Sequence, residues 1–223
     1  MRFHIITIFP NIFDSYLNES IIGRAIENKN ISVKFYNPRD FIKAPVSNYK
    51  PVDSKPYGGG PGMVMQAEPI LKAVESVYKK ISIRRLADKN SKVFTINFIP
   101  TAPKFTTAIA KTLSKKYTDI ILICGRYEGI DARVDKILKT KKFSIGDYVL
   151  TGGELPAMVL IDCISRQIPG VLGKYESLEE ERVSSSEVYT RPDVLKYKDK
   201  TYKVPKILLS GHHAKIEEWK KKR

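Results

Sequence analysis

Three clusters of glycine give the chain places where the backbone can approach a ligand closely. They are Gly58–Gly62, Gly125 with Gly129, and Gly146 with Gly152 and Gly153. The second cluster directly follows the apolar run Ile120–Cys124, and the third follows the run Phe143–Ile145. In open α/β sheets, ligands lie beyond the carboxyl ends of strands, where loops must let backbone come close. These two loops therefore predict one shared ligand pocket.

The common nucleotide-binding loops and metal motifs are absent from the sequence. No Gly-x-Gly-x-x-Gly follows a strand-like run, and the triple glycine lacks the Lys-Ser/Thr pair of a phosphate-binding loop. Cys124 and Cys163 cannot build a disulfide framework, and no Cys/His spacing fits a zinc site. His212 and His213 have no further ligands nearby, so a helix cap or phosphate contact is favoured over a metal. We therefore predict no metal site.

The excess of basic over acidic residues makes a polyanion the natural partner. The formal net charge is +15 and the pI is near 9.6. Residues 1–173 carry 26 of the 39 Lys and Arg against 15 of the 24 Asp and Glu, so most of the excess is on the main body. A genome-wide bias towards lysine is the competing explanation, and a membrane surface is the weaker one. No run approaches the roughly 18 apolar residues of a membrane span, and no signal peptide is recognised, so we expect a cytoplasmic protein.

The segments that position these loops alternate between strand-like apolar runs and stretches with the periodicity of a helix. Such alternation is typical of an α/β fold with a mainly parallel sheet. The strand-like runs are Phe3–Phe9, Ile31–Tyr36, Val93–Ile99, Ile120–Cys124 and Phe143–Ile145. The helical stretches are Phe13–Glu27, Pro69–Lys80, Thr106–Tyr117, Ala132–Lys139 and Leu155–Gln167.

The organisation of the chain changes after Gly173. We predict a main domain over 1–173, a flexible linker over 174–190 and a short C-terminal segment over 191–223. The linker carries the acidic patch Glu176–Glu181, and the last segment carries a hairpin through Lys196–Val204 and a basic helix at His212–Arg223. That segment is too small to be stable without docking on something.

Ordered strings over nearly the whole chain carry a family resemblance. They are Ile6–Pro10, Gly23–Ala25, Pro38–Phe41, Val52-Asp53 with Pro56–Met63, Cys124–Asp131, Ser144–Leu150, Gly152–Met158, Arg166 with Ile168–Gly173, and Tyr189–Pro192. In these strings the chain resembles the TrmD family of tRNA (guanine-N1)-methyltransferases, in the SPOUT class of knotted methyltransferases. The resemblance implies a deep trefoil knot at the C-terminal end of the main domain and a homodimer with active sites at the subunit interface. It also implies methyl transfer from S-adenosyl-L-methionine to N1 of the guanine immediately 3′ of the anticodon in tRNA.

The same resemblance assigns binding residues. Those implied for the cofactor are Ile99, Gly125, Tyr127, Ser144, Ile145, Gly146, Asp147, Tyr148, Val149, Leu150, Gly152, Gly153 and Pro156. Those implied for the target base are Asp53, Tyr57, Gly58, Gly59 and Glu128. Glu128 has an alternative role as a charge at the N-terminus of the helix over Ala132–Lys139. The family's Ser-Pro-x-Gly loop reads Pro100-Thr101-Ala102-Pro103 here, which leaves the adenine-side contacts open.

Methylation at N1 of guanine needs two kinds of side chain, a base and a cation. N1 of guanine carries a proton at neutral pH, so a carboxylate must remove it and a cation must stabilise the charge that grows on O6. The sulfonium cofactor brings its own leaving group, so no covalent nucleophile is required. Arg166 matches the family's catalytic arginine, with an i,i+4 ion pair to Asp162 as the alternative.

The general base is where the sequence departs from the family. Counting from Gly173, the family's aspartate falls on Glu181, and Glu180 or Glu179 would be selected by a small shift of alignment. A solvated acidic patch is the alternative for all three. The C-terminal segment is shorter than in the family, although it is still expected to contact tRNA, and a role for Mg²⁺ is left open. These departures leave a non-catalytic knotted RNA-binding protein as the alternative function.

Overall fold

The computed structural model describes residues 1–43, 50–86, 89–172 and 187–221. They belong to two compact units, residues 1–172 and residues 173–223. The strands are β1 (Arg2–Ile6), β2 (Ser32–Tyr36), β3 (Asp53–Ser54), β4 (Val64–Met65), β5 (Val93–Phe98), β6 (Asp119–Ile123), β7 (Lys141–Phe143), β8 (Val194–Tyr197) and β9 (Lys200–Lys203). The helices are α1 (Asp14–Leu17), α2 (Ser20–Glu27), α3 (Ala67–Arg85), α4 (Thr107–Lys116), α5 (Arg133–Leu138), α6 (Glu154–Ser165) and α7 (His213–Lys221).

The first unit is built on a five-stranded sheet in the order β2-β1-β6-β5-β7. All four pairings are parallel, which confirms the predicted α/β fold with a mainly parallel sheet. The central strand β6 is buried over its whole length, as expected for a strand covered on both faces. Because every strand runs the same way, the carboxyl ends of β5, β6 and β7 meet at one edge of the sheet.

Alternating side chains of the central strand build a separate core on each face. Ile120 and Leu122 pack with apolar residues of α1, α2, α4 and α6. Ile121 and Ile123 pack on the other face with α3 and α5. The period of two along a strand sends successive side chains to opposite faces, so one fully apolar strand serves both cores.

The predicted single helix over Phe13–Glu27 is wrong, because the chain turns between α1 and α2. α1 ends at the cap Asn18, and Ser20 takes a left-handed backbone conformation with φ +53°. A Cβ at Gly23 would lie 2.8 Å from the backbone C and O of Asn18. Glycine at this position therefore lets α2 pack directly against the end of α1.

A buried carboxylate stabilises the edge of the sheet away from the glycine loops. The fully buried side chain of Asp119, the first residue of β6, accepts hydrogen bonds from Arg2 Nε at 3.0 Å and Arg84 Nη2 at 2.7 Å. Nε2 of His4 lies 3.0 Å from the same carboxylate. Burial raises the pKa of Asp119, but hydrogen bonds from His4, Arg2, Thr118 and Arg84 outweigh it and hold the pKa well below its usual value.

The second unit contains the antiparallel hairpin β8–β9 and the helix α7. All eight residues of the hairpin strands are exposed, and Lys196, Lys200 and Lys203 are among them. The rings of Tyr189 and Trp219 lie 6.5 Å apart within this unit. No helix in the described parts of the chain is both long and apolar enough to cross a membrane.

Candidate cofactor and methyl-transfer site

A cavity of about 410 Å³ lies at the carboxyl ends of β5, β6 and β7. Its size falls in the range of about 300–1,000 Å³ that is typical of small-molecule sites. Eleven of the thirteen residues implied for the cofactor line it: Ile99, Gly125, Tyr127, Ser144, Ile145, Tyr148, Val149, Leu150, Gly152, Gly153 and Pro156. The loops after β6 and β7 therefore share one pocket, as the positions of their glycines predict, and residues at the end of β5 complete its wall.

The two remaining residues of that set lie beside the cavity rather than on its wall. The ring of Tyr148 covers Gly146 so closely that any Cβ there would collide with it. Asp147 is exposed and forms an ion pair with Lys104. Gly146 therefore makes room for an aromatic wall, whereas Asp147 faces solvent.

Backbone hydrogen bonds join the loops of the cavity to one another. The amide of Gly153 donates to the carbonyl of Gly125 at 2.9 Å, and the amide of Ser144 donates to the carbonyl of Pro103 at 3.0 Å. A Cβ at Gly153 would lie 2.6 Å from Cα of Cys124 and 3.0 Å from the amide nitrogen of Gly125. Only glycine fits at position 153 without displacing the end of β6.

Tyr127 holds a backbone conformation that side chains rarely adopt. Its φ is +60°, in the left-handed region, and its half-exposed ring borders the cavity. Such conformations cost of the order of 1–3 kcal/mol and concentrate at binding sites. The loop after β6 therefore holds a strained residue at the cavity wall.

Sequence reasoning missed a largely buried ion pair that joins the loop after β6 to the first residue of α6. Nε of Arg126 lies 2.9 Å from Oε2 of Glu154, at an angle that makes no hydrogen bond, and Thr7 donates to Oε1 of Glu154 at 2.8 Å. The guanidinium of Arg126 also lies over the ring of Phe9, 4.8 Å from its centroid. Both charged residues belong to strings that carry the family resemblance, but only the fold places them in contact.

Cys124, the residue before Gly125 of the cavity wall, carries a thiol and not a thiolate. Burial and the nearby charge of Glu154 raise the pKa of the Cys124 thiol well above its usual value, and Arg126 opposes this only in part. Cys124 is therefore a neutral, buried side chain and not a nucleophile. In the described ranges, no group of three or more His, Cys, Asp or Glu could hold a metal ion.

The residues implied for the target base lie mainly on the β3–β4 hairpin. Glu128 also lines the cavity, and its amide donates to the carbonyl of Met63 next to β4 at 3.0 Å. Tyr57 is fully exposed, and Gly58 and Gly59 have φ of +86° and +82°. Asp53 is half-buried, and its carbonyl accepts from Gln66 at 3.0 Å. Only Glu128 of this set reaches the cavity wall among the described residues.

Arg166, the one described residue of those predicted for catalysis, is not on the wall of this cavity. Arg166 caps the C-terminal end of α6, and its amide donates to the carbonyl of Asp162 at 3.0 Å. The carboxylate of Asp162 accepts a short hydrogen bond from Tyr16, and burial together with this bond raises the pKa of Tyr16 to about 12. Glu180 and Glu181 lie outside the described residues.

The chain matches the family model described as tRNA (Guanine-1)-methyltransferase TrmD over residues 1–223. It is 47% identical over 225 residues to the tRNA (guanine-N(1)-)-methyltransferase of Clostridioides difficile (strain 630), covering 99% of this chain and 91% of the relative. A Campylobacter jejuni protein of the same name is 41% identical, covering 99% of this chain and 90% of its own. The crystal structure of the tRNA (m1G37) methyltransferase from Aquifex aeolicus superposes with a TM-score of 0.72 at 37% identity, covering 100% of this chain and 88% of that one.

Proposed function

Since the chain belongs to the TrmD family of tRNA (guanine-N1)-methyltransferases, we propose that its glycine-lined cavity binds S-adenosyl-L-methionine and serves methylation of the guanine immediately 3′ of the anticodon. The protein is an enzyme that methylates N1 of guanine in tRNA. The observation that carries the proposal is the cavity at the ends of β5, β6 and β7, which three loops form and whose wall includes Gly125, Gly152 and Gly153.

The donor set of the cavity fits this cofactor. Gly125, Gly152 and Gly153 bring backbone to the cavity wall, and the backbone groups that do not bond the loops to one another recognise adenine and ribose, while Ile145 and Leu150 supply apolar surface for the ring. When bound, S-adenosyl-L-methionine supplies an electrophilic methyl group and its own leaving group. The neutral Cys124 is in keeping with chemistry that needs no protein nucleophile.

We assign the two catalytic roles to Arg166 and to a linker carboxylate. Arg166 stabilises the negative charge on O6 of guanine, and Glu181, with Glu180 as its neighbour, accepts the proton of N1. Separate Glu181→Gln and Glu180→Gln variants identify the base, because loss of the base lowers kcat with little change in cofactor affinity. Loss of turnover on addition of EDTA assigns a role to Mg²⁺, and unchanged turnover removes it.

A second copy of the chain is the partner that brings Arg166 to a cavity. Leu155, Val159, Asp162 and Arg166 follow at helical spacing along one face of α6. Leu155 and Val159 are 53% and 42% exposed, which is unusual for large apolar side chains in a row. Exposed apolar residues of the neighbouring segment continue this face, namely Phe9, Ile12 and Tyr16. A two-fold interface here would exchange the Arg166 side chains reciprocally.

Mixing two inactive variants tests the shared site. Arg166→Ala removes the cation, and Leu150→Arg fills the cavity. If each site takes Arg166 from the partner, heterodimers in an equal mixture regain one intact site, and activity returns to about a quarter of the parent level. If each site belongs to one chain, the mixture stays inactive. Sedimentation of Val159→Arg gives the independent check, because a charge on this face should leave monomers.

We also propose the knot that the family resemblance implies, within residues 1–172. Its support is the match of the whole chain to the Aquifex aeolicus structure and the mutual hydrogen bonding of the loops that follow β6 and β7. An experimental chain trace through the segment between β6 and α6 tests it. A trace in which no segment passes through a loop contradicts it.

Transfer RNA is contacted by the second unit as well as by the main body. The hairpin β8–β9 exposes Tyr197 and Tyr202 on one face with Lys200, and Lys196 with Lys203 on the other. Lysines bind phosphates and tyrosine rings stack on bases, so this ribbon matches single-stranded or distorted RNA. An assay of methyl transfer from S-adenosyl-L-methionine to a tRNA transcript separates the enzyme from a non-catalytic RNA-binding protein, which would bind S-adenosylhomocysteine and tRNA without turnover.

A further inference from the structure

A carboxylate outside the family strings of binding residues borders the cavity on the side of α5. Oδ1 of Asp135 accepts a hydrogen bond from Nδ2 of Asn97 at 2.9 Å and a short one from Oγ1 of Thr140. Oδ2 lies 3.0 Å from Nζ of Lys142. The side chain of Asp135 is only 13% exposed. One carboxylate thus joins Asn97 on β5 to Thr140 and Lys142 at the start of β7.

Asp135 and two of its partners lie next to the ends of the three loops. Asn97 is on β5, just before the loop that begins at Ile99, and Lys142 is on β7, just before the loop that begins at Ser144. Asp135 itself is on α5, which follows the loop containing Gly125 and Gly129. Asn97, Asp135 and Lys142 also line the cavity. The carboxylate therefore ties all three loop-bearing segments together at the point where they meet the pocket.

The contacts require a charged acceptor. Burial raises the pKa of Asp135, but the hydrogen bonds from Thr140, Lys142 and Asn97 outweigh it, so the pKa lies below its usual value. Each oxygen is used by a donor, so an amide in its place would set its NH₂ group against one of these donors in either orientation. A buried, multiply bonded carboxylate orders its partners more strongly than an exposed ion pair does.

We propose that Asp135 is a positioning residue for the methyl-transfer reaction, because its carboxylate sets the spacing of the three loops that hold the cofactor. The inference rests on the proposed function, since it assigns these loops to S-adenosyl-L-methionine. Asp135 does not itself react with cofactor or substrate. It acts through Asn97, Thr140 and Lys142.

The test compares Asp135→Asn and Asp135→Ala with the parent and with Glu68→Ala. Glu68 is a matched control, because it also pairs with a lysine, Lys72 at 2.6 Å, but on the exposed side of α3 and away from the cavity. Isothermal calorimetry with S-adenosylhomocysteine gives Kd at a temperature well below every melting midpoint. Initial rates give the KM for S-adenosyl-L-methionine and the KM for tRNA separately.

We expect the Kd for S-adenosylhomocysteine to rise about tenfold in Asp135→Asn and more in Asp135→Ala, because charged hydrogen bonds are lost. The KM for the cofactor should rise in parallel, while the KM for tRNA and the Kd of Glu68→Ala stay at parent values. A double variant Asp135→Asn/Lys142→Gln, which gives the amide an acceptor, should recover part of the affinity.

Two results overturn the inference in distinguishable ways. If Asp135→Asn melts earlier but binds S-adenosylhomocysteine like the parent, the carboxylate serves stability alone and the proposed function stands. If the parent itself fails to bind S-adenosylhomocysteine, the proposed function and the inference fall together. Should Asp135→Ala not fold, the Asp135→Asn comparison decides the matter by itself.

Discussion

Replacing Gly153 with alanine places one methyl group against the backbone that forms the cavity. The added Cβ would lie 2.6 Å from Cα of Cys124, whereas ordinary contact begins at 3.4 Å. Because the obstacle is backbone and not a flexible side chain, the end of β6 or the loop before α6 must move by about 0.8 Å. Gly153 also donates to the carbonyl of Gly125, so the movement disturbs two cavity loops at once.

We expect two consequences of Gly153→Ala. Overpacking of this kind lowers the free energy of unfolding by about 1–3 kcal/mol. A displacement approaching 1 Å at the cavity wall lowers methyl-transfer turnover by about 100-fold. Urea denaturation measures the first effect, and the initial rate at saturating tRNA measures the second.

Gly23→Ala is the matched control. Its Cβ would also meet backbone, 2.8 Å from C and O of Asn18, but at the α1–α2 turn and away from the cavity. We expect a comparable loss of stability with parent-like affinity for S-adenosylhomocysteine. If Gly153→Ala keeps full turnover, or if both variants lose cofactor binding equally, the assignment of the cavity by close backbone contact is refuted.

Three further predictions concern charged groups. Glu154→Gln should lower the free energy of unfolding by about 3 kcal/mol in urea, because it leaves the partly buried Arg126 without its ion-pair partner. Folding lowers the pKa of Asp119, so the stability that this carboxylate contributes is complete above a pH of about 4 and is lost as the pH falls further. Asp119→Asn should therefore be less stable than the parent at pH 7. In denaturation measured against pH, the stability of this variant should fall less steeply in acid than that of the parent. Lys200→Gln/Lys203→Gln should weaken tRNA binding and reduce the slope of log K against log salt by about two, measured by filter binding from low to high salt.

The parallel α/β sheet was predictable because its signals are local. Apolar runs such as Ile120–Cys124 identify the strands, and the glycines that follow them identify the edge of the sheet where the cavity lies. The bounds of the helices were less predictable: α3 runs from Ala67 to Arg85, beyond the predicted Pro69–Lys80. The short strands β3 and β4 were not predicted, because two residues each carry no periodicity.

Only those residues of the candidate site that lie in the short strings shared with the family could be predicted from the sequence. The cavity brings together Gly125, Ser144 and Gly153, which the family strings contain, and their binding role stays a prediction. The contacts of Asp135 with Asn97 could not be predicted, since the two residues are 38 positions apart and meet only when α5 packs beside β5. In the sequence alone, Asp135 is one more charge on an amphipathic helix.

Methyl transfer to a tRNA transcript, mapped by primer extension, tests the central claim most directly. A methyl group on N1 occupies the Watson–Crick edge of guanine and stops a reverse transcriptase. With S-adenosyl-L-methionine and a transcript carrying guanine immediately 3′ of the anticodon, we predict a new stop next to that guanine and none when adenine replaces it. No stop at saturating cofactor, or a stop that persists after the replacement, would contradict the account.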